Sequence, residues 1–244
     1  MTGAVRSGLR TLRPLAERVA APVGSVVAVR TRAPEVVLTF DDGPERVGTA
    51  QVLEALAAHG ASATFFVLLS KVAREGRLLD EVVAAGHEIA LHGVDHRPLT
   101  DFSAAQVEGR TRAGREALED RIGQPVRWFR PPYGRQTPLR WRAVRRAGLV
   151  PVLWGPTTWD WRDLPQAERI AVAQRQVRPG SIVLAHDGFA GPDDGDPAGP
   201  RHELDRRELI DAVLAAYGRM GLAARSLGQA LGHGDPVRAA RFRR

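Results

Sequence analysis

Short β-branched and aromatic runs alternate with longer helical stretches from residue 36 almost to the end of the chain, and that order leaves few folds open. The runs at 36–40, 64–68, 87–91, 127–129, 149–154, 182–185 and 222–226 read as strands. The stretches at 48–59, 77–85, 103–123, 166–177 and 207–219 read as helices. Local signals agree. Gly60 and Gly86 stand where helices end, Ser103 with Gln106 makes a capping-box pattern, and Pro138 suits a first helical turn. Repeated strand–helix units with no internal linker imply a parallel sheet covered by helices. In a chain of 244 residues they predict an α/β fold, an irregular (β/α) barrel of about seven parallel strands in a single domain.

The polar residues are distributed along this pattern in a telling way, because they follow the strands. Asp41 and Asp42 come after the first, His92 and His96 after the third, and Arg130 and Tyr133 after the fourth. Asp160 and Trp161 follow the fifth, and His186 and Asp187 the sixth. In a parallel barrel the C-terminal strand ends share one face, and catalytic groups collect there. Two imidazoles and a carboxylate, from Asp42, His92 and His96, suit a catalytic divalent ion that keeps open positions. Asp41 is a second carboxylate fit to act as base with Arg130 as partner, and His186 suits an acid because imidazole titrates near neutrality. Each feature has a plainer reading: an Asp-Gly turn at Asp42, a hydrogen-bonded strand-end histidine at His186, packing indoles at Trp154, Trp159 and Trp161. Their joint placement favours chemistry.

Charge and cysteine content narrow the function classes. Zero cysteine excludes a disulfide framework, a thiolate nucleophile and a thiolate metal site. The net charge of +7 invites a nucleic-acid partner, but its location argues against one. Residues 1–33 carry six arginines against Glu17, and 236–244 add four arginines with no acid. The middle, 34–235, holds 25 basic and 27 acidic residues. A body so nearly neutral implies no nucleic-acid groove.

The motifs Thr39-Phe40-Asp41-Asp42-Gly43-Pro44, His92-Gly93-Val94-Asp95-His96, Arg130-Pro131-Pro132-Tyr133-Gly134, Thr157-Thr158-Trp159-Asp160-Trp161 and Ile182-Val183-Leu184-Ala185-His186-Asp187 resemble, in order, those of the polysaccharide deacetylase family. This is carbohydrate esterase family four, the NodB homology domain. The resemblance covers 34–232 as one domain, with 1–33 as a basic N-terminal extension and 233–244 as a basic C-terminal tail. It implies a hydrolase that removes acetyl groups from N-acetylhexosamine-containing glycans or sugar conjugates, with a water on one divalent metal ion as nucleophile. Zinc is the expected ion, with cobalt, nickel or manganese as alternatives. By position, Asp42, His92 and His96 correspond to the metal ligands and Asp41 to the base, tethered by Arg130. His186 corresponds to the acid, tuned by Asp160. The Tyr133 N–H corresponds to an oxyanion donor, and Trp161 and Leu184 to walls of the substrate groove. Two positions depart from the family pattern: Gly93 replaces a hydroxyl residue, and Thr157 replaces an aspartate.

Other functions compete with this one. A deformylase or a cyclic-amide or ester hydrolase would use the same barrel, and a glycan-binding protein without catalysis would keep only the groove. No run of 18–20 apolar residues is present, and Pro14, Glu17 and Arg18 break any signal-type apolar core, so a cytoplasmic protein is expected. Val5, Leu9, Leu12, Ala16 and Val19 are interleaved with Arg6, Arg10 and Arg13, a pattern interrupted by Pro14 that fits weak contact with an anionic membrane surface, a helix packed on the barrel or a frayed tail. The sequence leaves the oligomeric state open.

Overall fold

The computed structural model describes residues 23–199 and 202–243. The described chain begins with β1 (Ser25–Thr31), then β2 (Glu35–Asp41), α1 (Arg46–Ala58), β3 (Thr64–Leu68), α2 (Leu69–Arg74), α3 (Gly76–Ala84) and β4 (Glu88–Gly93). It continues through α4 (Ala104–Ile122), β5 (Trp128–Phe129), α5 (Pro138–Arg146), β6 (Val150–Pro151), α6 (Gln166–Gln174) and β7 (Ile182–His186). The last elements are α7 (Arg206–Arg219), β8 (Ala223–Arg225), α8 (Leu227–Gly232) and β9 (Gly234–Ala239). Seven strands form one sheet in the order β6-β5-β4-β3-β2-β7, with β8 also on β2, and every pairing is parallel. The α/β barrel-like architecture expected from the strand–helix alternation is therefore present.

β2 is its centre. All seven of its residues are buried, as expected of a parallel strand covered on both faces, whose sequence reads as a continuous apolar run. Its outward residues Val36, Leu38 and Phe40 join the layer between sheet and helices with Leu56, Leu91 and Val213. The expected caps form: Ser103 and Gln106 exchange the two bonds of a capping box, at 2.9 and 3.2 Å, and Thr137 caps the helix that starts at Pro138.

Residues 25–31 and 234–239 are strands rather than tails. β1 and β9, which fall in the expected extensions 1–33 and 233–244, pair antiparallel with each other from Ser25↔Ala239 to Thr31↔Gly234. This sheet spans the gap between β6 and β7. Leu153 N–H donates to Val26 O at 2.8 Å, and Val29 N–H donates to Gly180 O at 2.8 Å. Val26 and Val29 are buried with Val37, Phe66, Ala90, Val152 and Ile182 inside the barrel. Each such valine contributes about 1.5–3 kcal/mol of burial, which outweighs any preference of the neighbouring arginines for a free segment. The expected strand at 149–154 is correspondingly shortened, because its ladder passes from β5 to β1 after Pro151. The amphipathic pattern at 5–19 lies outside the described residues.

Candidate active site

The strand ends carry the site. β2 ends in Asp41, and Asp42 follows with a left-handed backbone, φ 72°. That turn is possible because Gly43 lets the carboxylate of Asp187 approach: a Cβ at Gly43 would lie 2.0 Å from Asp187 Oδ2. Asp187 accepts the Gly43 N–H at 3.1 Å and the Thr49 hydroxyl, so the first residues after β2 are tied to the end of β7. Burial pushes the Asp187 carboxyl up to about 6, against the pull of Thr49, Lys71 and Arg206.

Asp42 Oδ1 faces His92 Nε2 at 3.2 Å and His96 Nε2 at 3.3 Å, and all three residues are buried. The far nitrogen of each ring is held by an acceptor. His92 Nδ1 donates to the Arg130 carbonyl at 2.8 Å, and His96 Nδ1 to Asp196 Oδ2 at 3.1 Å. A neutral ring that donates from Nδ1 presents a bare lone pair at Nε2. Two lone pairs and a carboxylate oxygen thus converge, and Asp42 Oδ1 has no hydrogen-bond donor of its own. Such a set repels itself unless a cation sits among its members, so the residues fit a divalent ion. Burial would raise the Asp42 carboxyl, but His96, His92 and His186 overcome it and hold it far below the usual range. Burial is the main reason that His96 is harder to protonate than a free imidazole.

Asp41 lies beside this cluster, with Oδ2 3.9 Å from His92 Nε2. Its Oδ1 accepts Arg130 Nη1 at 2.6 Å, and the same nitrogen donates to Thr39 Oγ1 at 2.9 Å. Arg130 has no exposed surface and stacks over Phe66, 4.0 Å from the ring centre. Across the groove, His186 Nδ1 lies 2.8 Å from Asp160 Oδ1, and its backbone N–H donates to Asp160 Oδ2 at 2.6 Å. Burial disfavours the charged ring, yet Asp160, then Asp42 and Asp41, outweigh it and raise the His186 pKa to about 9. Trp161 packs edge-on against His186, with centroids 5.4 Å apart.

These groups border one groove of about 640 Å³, with Leu184 in its wall and Phe189 and Trp154 at its sides. Of the residues singled out from sequence, Asp41, Asp42, His92, His96, Tyr133, Trp161, Leu184 and His186 line the groove, while Arg130 and Asp160 stand behind it. Tyr133 adopts φ 58°, and its N–H donates to no described residue. Asp196 and Phe189 were missed by the sequence reading. Both lie after β7, where a Gly-, Pro- and Asp-rich composition marked a loop without marking which acid turns inward.

The two departures have local accounts. Gly93 has φ 155°, and a Cβ there would lie 2.6 Å from Asp95 O, so a hydroxyl side chain does not fit this turn. The histidine loop is steadied instead by backbone bonds, Ser70 N–H to Val94 O at 2.9 Å and His96 N–H to Asp194 O at 2.7 Å. Thr157 accepts the Trp159 N–H at 3.3 Å, leaving Asp160 buried against His186.

The sequence model of the polysaccharide deacetylase family matches residues 28–152. The chain belongs to the polysaccharide deacetylase family. A chitooligosaccharide deacetylase of Bradyrhizobium sp. (strain ANU 289) is 38% identical over 156 residues, covering 63% of this chain and 71% of that protein. A peptidoglycan-N-acetylglucosamine deacetylase of Bacillus cereus is 32% identical over 158 residues, covering 63% and 72%. Among solved structures, a family 4 carbohydrate esterase from Streptomyces lividans in complex with acetate superposes with a TM-score of 0.69 at 25% identity, covering 86% of this chain and 99% of that one. A pseudoenzyme of the same family from Bacillus anthracis superposes at 0.75 with 20% identity, covering 91% and 74%, a likeness of fold alone. Polysaccharide deacetylases are hydrolases acting on carbon–nitrogen bonds of sugars, and this chain carries the Asp-His-His group that could hold their metal. No helix among the described residues is long and apolar enough to cross a membrane.

Proposed function

We propose that this chain removes the N-acetyl group from an N-acetylhexosamine-containing glycan or sugar conjugate. The observation that carries the reading is the placement of Asp41 and His186 in one groove with the Asp42–His92–His96 cluster. Its relatives act on chitooligosaccharides and on peptidoglycan N-acetylglucosamine, and that is the substrate class proposed here.

Asp42, His92 and His96 would hold the ion, zinc being the first choice for an N,N,O donor set, with cobalt, nickel or manganese as substitutes. When bound, the ion supplies Lewis acidity toward the acetyl carbonyl and makes water a better nucleophile. The chain's own groups do the rest. Asp41, held in place by its hydrogen bond from Arg130, takes the proton from the attacking water. The Tyr133 N–H is free to donate to the oxygen that gains charge, a contribution worth about 3–4 kcal/mol for a good donor. His186, protonated at neutral pH, gives its proton to the departing amine. Trp161 supplies an indole face for the sugar, and Leu184 packs beside the acetyl methyl.

Acetate release from N-acetylated chitooligosaccharides, xylan acetate and small formyl or cyclic amides tests the reading. Chelator-sensitive release from the chitooligosaccharides, restored by zinc, is expected. Turnover confined to the small amides would make the chain a different amide hydrolase. Glycan binding with no turnover on any substrate would make it a binding protein.

A further inference from the structure

A second cleft runs along the outside of the barrel where β1 and β9 cover the gap between β6 and β7. It has a volume of about 920 Å³, and its polar border consists chiefly of Arg30, Arg178, Arg238, Arg241 and Gln176. No carboxylate lines it among the described residues. Arg30, Arg178 and Arg238 are exposed and form no ion pair or side-chain hydrogen bond with any described residue, Asp235 opposite Arg30 included. Four guanidiniums with no ion pair among the described residues share one concavity, Arg241 donating to the Trp154 carbonyl at 3.0 Å, and such a set is suited to planar anions, which guanidiniums bind bidentately.

The cleft also leads to the chemistry. A smaller cleft of about 180 Å³ shares Gly155 and Arg241 with it, shares Tyr133 and Trp154 with the catalytic groove, and adds Arg243. An extended ligand with its acetyl group at Asp42 could therefore pass Tyr133 and Trp154 and reach the arginines.

We propose that this arginine-lined cleft binds carboxylate or phosphate groups carried by the same glycan whose acetylated sugar lies in the catalytic groove. The proposal rests on the deacetylase reading for the acetylated end and adds that the glycan is anionic. A neutral chitooligosaccharide would leave the arginines unused.

The test compares three acetylated strands of equal length: a neutral chitooligosaccharide, a peptide-free strand with muramic carboxylates, and N-acetylglucosamine units joined by phosphodiesters. The wild-type protein is expected to show a KM about tenfold lower for one anionic strand than for the neutral one. Which strand it is distinguishes carboxylate from phosphate. In the double variant Arg178→Ala/Arg238→Ala, that KM should rise about tenfold with kcat unchanged, and kinetics on the neutral strand should not move. Calorimetry with chelated, metal-free protein supplies a readout independent of turnover, with salt-sensitive binding that the variant loses. Equal KM for all three strands, or equal losses on neutral and anionic strands, would overturn the proposal. Arginine-dependent binding without deacetylation of any strand would uphold the cleft and discard the deacetylase reading instead.

Discussion

Asp196 accepts the Nδ1–H of His96 at 3.1 Å, across a sequence separation of 100 residues. It thereby fixes the ring tautomer that aims Nε2 at Asp42, and with burial it pushes the Tyr133 hydroxyl pKa up. Its loop is pinned from below, where Asp194 accepts Ser70 at 2.7 Å and Arg74 at 2.6 Å. Carboxylates in this position typically govern metal affinity by 10–100-fold. Asp196→Asn should therefore weaken zinc binding by about that factor with little change in thermal stability, as measured by chelator competition. An unchanged affinity would show that the bond is incidental.

Asp41 and Arg130 form a buried pair whose two members have different jobs. Asp41→Asn should retain metal within a few-fold and lose nearly all turnover, because the base is gone while the ligands stay. Arg130→Met leaves a buried carboxylate without its partner and should cost about 3–5 kcal/mol in denaturant unfolding. The double variant Asp41→Asn/Arg130→Met should recover part of that loss. A double variant no more stable than Arg130→Met would show that Arg130 acts through packing on Phe66 rather than through charge.

These residues were legible in the sequence because a parallel barrel brings C-terminal strand ends together, so short motifs far apart in the chain predict one site. Helix caps were legible for a similar reason, being local: Ser103 announced Gln106 three residues on. The same kind of signal was present and unused at Ser226 and Gln229, which cap α8. The β1–β9 pairing was not legible. Its partners are more than 200 residues apart, Pro236 weakens the strand signal of β9, and the arginines at both ends suggested solvated tails. Asp196 was hidden because several acids share its loop and nothing local shows which one meets a histidine.

Gly93 gives a prediction that runs against the family pattern. Restoring a hydroxyl by Gly93→Ser places a side chain at φ 155° and 2.6 Å from Asp95 O. Strained backbone of this kind costs about 1–3 kcal/mol. The variant should melt at lower temperature and bind metal no better than the wild type. A rise in both stability and metal affinity would mean that the loop readily adopts another turn.

The acid is the group whose pH behaviour the site sets most strongly. Burial alone would make His186 harder to protonate, but Asp160 at 2.8 Å, with Asp42 and Asp41 behind it, raises its pKa to about 9. A histidine raised in the folded state stabilises the fold fully below its unfolded value of about 6.5. That stabilisation fades as pH rises through about 9. Asp160→Asn removes the largest contribution that favours the charged ring, so the loss of stability should be greatest below about pH 6.5, shrink as pH rises toward about 9 and vanish on the alkaline side. The His186 ring should then titrate lower in the metal-free protein, as followed by NMR. In the metal-loaded enzyme the alkaline limb of kcat/KM should move the same way, with a loss of about 10²–10⁴ in rate, the range set by general acid catalysis. An alkaline limb that stays in place in Asp160→Asn would assign it to a group other than His186.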